Sequence, residues 1–290
     1  MKITLVTTLP DLEENKRLEE VAKSLSHTFE TVDLSNFGYI IDEKYLDIGG
    51  LNNLKTDIVI VRGIFRSINT ISAIIKDLRK KGIRVFDNNF SEIKYSIDKV
   101  TDLVKLSLSG VEVPKTAYTR DFDEFPSLAQ KIGYPVVVKF SRTGKGARVY
   151  KLDSEDELKK LISRLKTEEK QAKYYLLQEF IPYKHDLRIL IIGEYLFTMK
   201  RIPGDGEFRA NFSLGGKVEL FDLDEEGKAL ARRALEACGM SIGGVDMLIG
   251  EDSKRYIIEV NHTAGWLGME KATKENITKI WLEHAIKEAR

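Results

Sequence analysis

Two apolar runs late in the chain carry charge where buried strands seldom tolerate it. They are Gly244-Val245-Asp246-Met247-Leu248-Ile249 and Arg255-Tyr256-Ile257-Ile258-Glu259-Val260-Asn261. Gly243-Gly244 and the polar turn at residues 250–254 bound them, which predicts an antiparallel hairpin. Strand alternation puts Glu259 and Asn261 on one face and Tyr256, Ile258 and Val260 on the other. In the first run it sets Asp246 and Leu248 against Val245, Met247 and Ile249. Two carboxylates and an amide therefore converge from apolar strands, and burying such charge is costly unless something compensates it. Two compensations are open. Lysine or arginine partners on a half-exposed sheet would make the carboxylates structural. A hard divalent cation would make them ligands, and an all-oxygen set suits Mg²⁺ better than zinc or copper.

The rest of the composition narrows the classes. A chain of 290 residues is long enough for two or three compact units. Hydrophobic content of 42% with 31% charged residues describes a folded protein and excludes a disordered one. A net charge of +1 gives no global field for nucleic acid or an anionic membrane. The single cysteine, Cys238, excludes an internal disulfide and a cysteine-rich metal site. It ends an apolar helical stripe and reads as a small core residue, since nothing nearby would depress its pKa. The N-terminal residues do not resemble a signal peptide and no run approaches a membrane span, so a cytoplasmic protein is expected.

Residues 1 to about 90 alternate strand and helix signals. Strands are predicted at 3–8, 28–34, 57–62 and 83–86. Helical stripes fall at Leu18, Val21, Ala22 and Leu25, and at Ile71, Ile74, Ile75 and Leu78. The rhythm argues for a small parallel sheet whose ligands would meet the carboxyl ends of its strands, near Thr7-Thr8 and Arg62-Gly63. Arg62 is either an edge arginine meeting solvent or an anion contact. A helix is expected over 91–109, then an edge strand interrupted by Pro114. A short helix opens at Phe125-Pro126, and Pro135 to Phe140 form a strand. The loop at 141–150 has two glycines and three cations between strands, so it is either a mobile basic hairpin or an anion-binding one. It is not a Walker loop, because no helix follows its glycines. Ser154 to Glu157 read as a capping box. Further strands, a polar glycine-rich loop at 208–216, a helix at 225–238 and a last helix presenting Ile277, Ile280, Trp281 and Ala285 complete the chain.

Taken in order, Asp98-Lys99, Pro135-Val136-Val137-Val138-Lys139, the glycine hairpin, Gln178-Glu179-Phe180-Ile181, Asp186-Leu187-Arg188, Arg209-Ala210-Asn211 with Gly215-Gly216, Gly244-Val245-Asp246 and Glu259-Val260-Asn261 resemble the ATP-grasp carboxylate–amine ligases. The resemblance is closest to the RimK-like branch of glutamate and amino-acid ligases. It implies an α/β and α+β chain with an N-terminal βαβ (pre-ATP-grasp) domain at 1–90. Two ATP-grasp subdomains, at 91–175 and 176–290, would enclose the nucleotide.

The same resemblance implies roles. Lys99 and Lys139 would reach the ATP phosphates, and Gly144, Lys145 and Gly146 would lie in the loop closing over them. Gln178, Glu179, Phe180 and Ile181 would contact adenine through main-chain groups, and Asp186 the ribose. Arg188, Arg209 and Asn211 would face the transferring phosphoryl group. Asp246, Glu259 and Asn261 would hold Mg²⁺, as two ions with Mn²⁺ as a substitute. The implied reaction makes an acyl phosphate from a carboxylate and ATP, and an amine then displaces phosphate to form an amide. The partners would be a small-molecule or protein carboxylate and an amino acid, with glutamate a candidate, a homo-oligomer by analogy, and neither nucleic acid nor membrane. The alternative is a nucleotide-binding sensor or scaffold of the same fold without turnover. The pattern departs from the family at Asn261-His262-Thr263-Ala264-Gly265-Trp266, where Ala264 replaces a proline. That departure sets His262 and Trp266 near the expected amine entry, with His262 read as a packing residue ahead of a general base.

Overall fold

β-Branched runs flanked by helical stripes build the first unit of the computed structural model, which describes residues 1–35, 39–41, 46–48, 51, 54–64, 68–91, 99–141, 148–203 and 217–290. The unit comprises β1 (Lys2–Thr7), α1 (Glu13–Ser24), β2 (Thr28–Asp33), a small hairpin of β3 (Tyr39–Ile41) and β4 (Leu46–Ile48), β5 (Ile58–Val61), α2 (Ile68–Lys80) and β6 (Arg84–Phe86). Strands β2-β1-β5-β6 form one parallel sheet, as the alternating pattern predicts. Ile3, Leu5, Ile58 and Ile60 are wholly buried in it.

The second unit is antiparallel. After α3 (Lys99–Leu108) come β7 (Thr116–Tyr118), α4 (Phe125–Ile132), β8 (Val136–Phe140), β9 (Val149–Leu152), α5 (Glu155–Glu168) and β10 (Tyr175–Glu179). The sheet order is β7-β10-β8-β9, with β7 at the edge as Pro114 suggested. Gly133 closes α4 at φ 97, and the Ser154 hydroxyl caps α5 by accepting from the Glu157 N–H. Phe122, Phe125, Val136, Val138, Leu158, Leu165 and Tyr175 are packed in a core drawn wholly from residues 122–177.

The third unit holds β11 (Tyr183–Ile192), β12 (Tyr195–Ile202), β13 (Lys217–Leu220), α6 (Glu225–Ala237), β14 (Ile242–Gly250), β15 (Arg255–Asn261), α7 (Leu267–Thr273) and α8 (Ile277–Glu288). Its sheet runs β13-β12-β11-β14-β15, all antiparallel. Leu230, Ala234 and Leu235 of α6, with Leu103 and Leu106 of α3, pack against Leu187, Ile189, Val245 and Met247. A second cluster joins Leu190, Ile192, Trp266 and Trp281 to Ile3, Leu5 and Leu18, so the first and third sheets share a core.

Three expectations change here. The unit boundaries at 90/91 and 175/176 shift, because α3 packs on the third unit and β10 pairs inside the second. The alternation along β15 breaks at a bulge opposite Asp246 and Met247, so Ile257 joins Val260 in the core where Ile258 was expected. The short helix α7, absent from the sequence reading, follows the Asn261 turn. Of the helix expected over 91–109, Ser91 is a turn residue, residues 92–98 lie outside the described residues, and Lys99–Leu108 are helical.

Candidate active site between the second and third sheets

The hairpin β14–β15 does bring its polar residues together. Asp246 pairs in register with Glu259, and Gly244 with Asn261. On the other side of β14, β11 places Arg188 opposite Asp246, and β12 places Arg201 opposite Asp186. Cross-strand neighbours of opposite charge on one sheet face attract, and the distances follow. Arg188 Nε lies 3.0 Å from Asp246 Oδ1, and Arg201 Nη2 lies 3.2 Å from Asp246 Oδ2. Arg201 Nε also donates to Asp186 Oδ1 at 2.7 Å. With its amide oriented to satisfy both neighbours, Asn261 accepts from Arg188 Nη1 at 2.6 Å and donates to Glu259 Oε1 at 3.0 Å. Gly244 is required beside this group, since a Cβ there would come within 2.8 Å of Arg188 Nη1 and of the Ala264 Cβ.

Two lysines close the group from elsewhere. Lys99, at the first turn of α3, sets its ammonium 2.6 Å from Glu259 Oε2. Lys139, on β8 of the second sheet, donates to Gln178 Oε1 at 2.5 Å, and Gln178 Nε2 donates to Thr116 Oγ1 at 2.8 Å. Burial pushes Lys139 down to about 8, helped by the neighbouring Lys99 charge. Burial alone would raise Asp246, but Arg188 and Arg201 outweigh it and hold the carboxyl below its ordinary range. Arg201 shifts the other way: Asp246 and Asp186 outweigh its burial and fix its charge.

The donor chemistry fits a hard cation with phosphate oxygens. Asp246 Oδ1 is buried and, although close to Arg188, makes no hydrogen bond of acceptable geometry among the described residues. Among the described residues no three His, Cys, Asp or Glu side chains converge on one point. Asp246, Glu259 and Asn261 would therefore hold Mg²⁺ only with oxygens brought by a ligand or water, as suits that ion. Lys99, Lys139, Arg188 and Arg201 outnumber Asp186, Asp246 and Glu259, which leaves the group receptive to an anion.

Other expected residues fall as follows. Glu179 and Phe180 lie at the end of β10, but their N–H groups donate to Lys115 O at 2.9 Å and Pro135 O at 3.1 Å, so neither amide is left for a base. The Glu179 carboxylate accepts from Lys115 N at 2.8 Å. Ile181 follows them in the crossing to β11. Asp98, Gly144, Lys145, Gly146, Arg209 and Asn211 lie outside the described residues. Arg201 was missed; a charged residue ending an apolar strand was the available signal, but its partner depends on register.

Arg62 is not an edge arginine. It follows β5, an interior strand, and is 4% exposed. It donates to Asn15 Oδ1 at 2.6 Å and Ala264 O at 3.4 Å, and lies 4.7 Å from the centre of the Trp266 ring. Burial brings it down to about 10. Trp266 likewise does not line an entry. It is 1% exposed, stacks on Trp281 at 5.4 Å and donates to Thr278 Oγ1 at 2.8 Å. Ala264 fits against Gly244 while its carbonyl meets Arg62.

Two antiparallel sheets meeting at a charged cluster, beside a parallel N-terminal sheet, make an arrangement shared in fold with solved ATP-grasp ligases. The ATP-grasp ligase PsnB complexed with minimal precursor has a similar fold, with a TM-score of 0.74 and 20% identity over 98% of each chain. A RimK domain protein from Sphaerobacter thermophilus DSM 20745 gives 0.70 at 17% identity, over 99% of this chain and 100% of that one. Residues 96–284 match the RimK-like ATP-grasp domain, and the chain belongs to that family. A probable alpha-L-glutamate ligase of Legionella pneumophila (strain Corby) is 30% identical over 299 aligned residues, covering 100% of this chain and 97% of that protein. The coenzyme gamma-F420-2:alpha-L-glutamate ligase of Methanococcus maripaludis is 30% identical over 87% of each.

Proposed function

We propose that this chain is an ATP- and Mg²⁺-dependent ligase that joins a carboxylate to the amino group of an amino acid, with glutamate the first candidate. ADP and phosphate are the other products, and the cytoplasm is where such an enzyme finds its ATP. The observation that carries the reading is the meeting of Lys99, Lys139, Arg188 and Arg201 with Asp246, Glu259 and Asn261 at the junction of two sheets. Relatives described as glutamate ligases support the amine. Solved structures of similar fold complexed with precursor peptides support a carboxylate that can also sit on a peptide.

In this reading Lys99 and Lys139 act as point charges on the phosphates. Asp246, Glu259 and Asn261 would hold Mg²⁺, which when bound neutralises phosphate charge during transfer. Arg188, fixed by Asp246 and Asn261, faces the transferring phosphoryl group, and Arg201 orients Asp186 and, with Arg188, holds Asp246 ionised. The carboxylate attacks the γ-phosphate to give an acyl phosphate and ADP, and the amine then displaces phosphate. No enzyme nucleophile is used, so the residues contribute position and charge.

A mass-spectrometric screen with ATP, Mg²⁺, amino acids and candidate small-molecule and peptide carboxylates tests the proposal. An amide product with matching ADP is expected. ADP release that needs neither a carboxylate nor an amine would overturn it.

A further inference from the structure

One helix carries both a phosphate lysine and a buried carboxylate that the reaction does not use. On α3, Lys99 and Asp102 are one turn apart on the same face. Their partners, Glu259 and His262, are three residues apart at the end of β15. Lys99 meets Glu259 at 2.6 Å, and Asp102 Oδ2 lies 3.2 Å from His262 Nε2. The two pairs form two rungs between α3 and the strand that bears Glu259 and Asn261.

The rungs differ in permanence. The Lys99 side chain is 18% exposed and that of its Glu259 partner 29%, and both are assigned above to the nucleotide and its cation. That rung must open when the ligands enter. The second rung is 3% and 8% exposed, and neither member has a role in the chemistry. Asp102 is also tied to Lys105 at 3.2 Å, and the His262 ring stacks on Phe90 with centroids 6.3 Å apart. Because Asp102 accepts, the proton between them sits on Nε2, leaving Nδ1 without a partner among the described residues.

Apolar packing of Leu103 and Leu106 holds α3 on the third sheet, but such packing is non-directional. A buried hydrogen bond is directional and fixes the rotation and advance of the helix. We infer that Asp102 and His262 are positioning residues: their bond keeps α3 in register with β15 while Lys99 leaves Glu259, and so aims Lys99 at the phosphates. This rests on the ligase reading for the role of Lys99.

The test is an equilibrium titration of the full chain with a nonhydrolysable ATP analogue and Mg²⁺, alongside thermal unfolding of each variant. Asp102→Ala and His262→Leu are each expected to weaken nucleotide binding about tenfold while remaining folded, as for a lost hydrogen bond to a charged group. Because the two act as one unit, the double variant should be no weaker than either single one. Asp102→Asn, which still accepts from Nε2–H, should bind within about twofold of the wild type. If Asp102→Ala does not fold, His262→Gln against His262→Leu makes the same comparison, since the glutamine amide can donate to Asp102. Unchanged affinity in folded Asp102→Ala or His262→Leu overturns the inference, as do additive losses or an Asp102→Asn as weak as Asp102→Ala. A wild-type chain that binds no nucleotide would overturn the ligase reading itself, and this inference with it.

Discussion

Lys139 sits at the pH-sensitive point of the site. Its pKa is brought to about 8 by burial and by Lys99, so in the free protein its ammonium is lost as pH rises through that value. If the charged form grips phosphate, kcat/KM for ATP should fall above about pH 8 with a one-proton slope, because that ratio reports the free enzyme. A profile flat across this range would remove Lys139 from phosphate binding. Trp266 gives a prediction of another kind. It is 1% exposed, with Trp281 on its face and Thr278 on its indole N–H, so Trp266→Ala should cost about 3–5 kcal/mol in denaturant unfolding. A loss below about 1 kcal/mol would show that the site can collapse around the gap. Asp246, Glu259 and Asn261 were legible as polar residues interrupting apolar runs, whereas Lys99 and Lys139 were reached through the family resemblance. The surroundings of Arg62 and Trp266 were not, because whether a residue ends an edge strand or an interior one depends on strand order.

At the scale of elements, β14–β15 was the most legible part. Its apolar runs and turn residues predict the hairpin, and the register then follows from which face is buried. The bulge was hidden, since one extra residue leaves the local composition unchanged while it moves Ile257 into the core. Arg201 was hidden for a related reason: its role arises from sitting opposite Asp186, a pairing across β11 and β12. Glu259 lies beyond the bulge on the site face and is only half-buried, so Glu259→Ala removes a carboxylate without opening the core. It should abolish amide product while thermal unfolding stays close to wild type. An active variant would overturn the cation assignment.

The whole molecule consists of two bodies more than three. The first and third sheets share Ile3, Leu5, Leu190, Trp266 and Trp281, whereas the second has a core of its own. Lys139 belongs to the second and Asp246 to the third, so a ligand held by both would draw the bodies together. The radius of gyration in solution scattering should therefore decrease on adding ATP and Mg²⁺, and an unchanged value would count against closure. The expected divisions at 90/91 and 175/176 followed motif order, and motif order does not reveal that α3 packs on the third sheet. For anyone building chimeras of such chains, the shared core decides where to cut. The N-terminal sheet cannot be exchanged alone, because a foreign one would have to supply surfaces matched to Trp266 and Trp281. Crossovers near residues 113–115 and 180–181 would instead carry the second unit between parents with its interior intact.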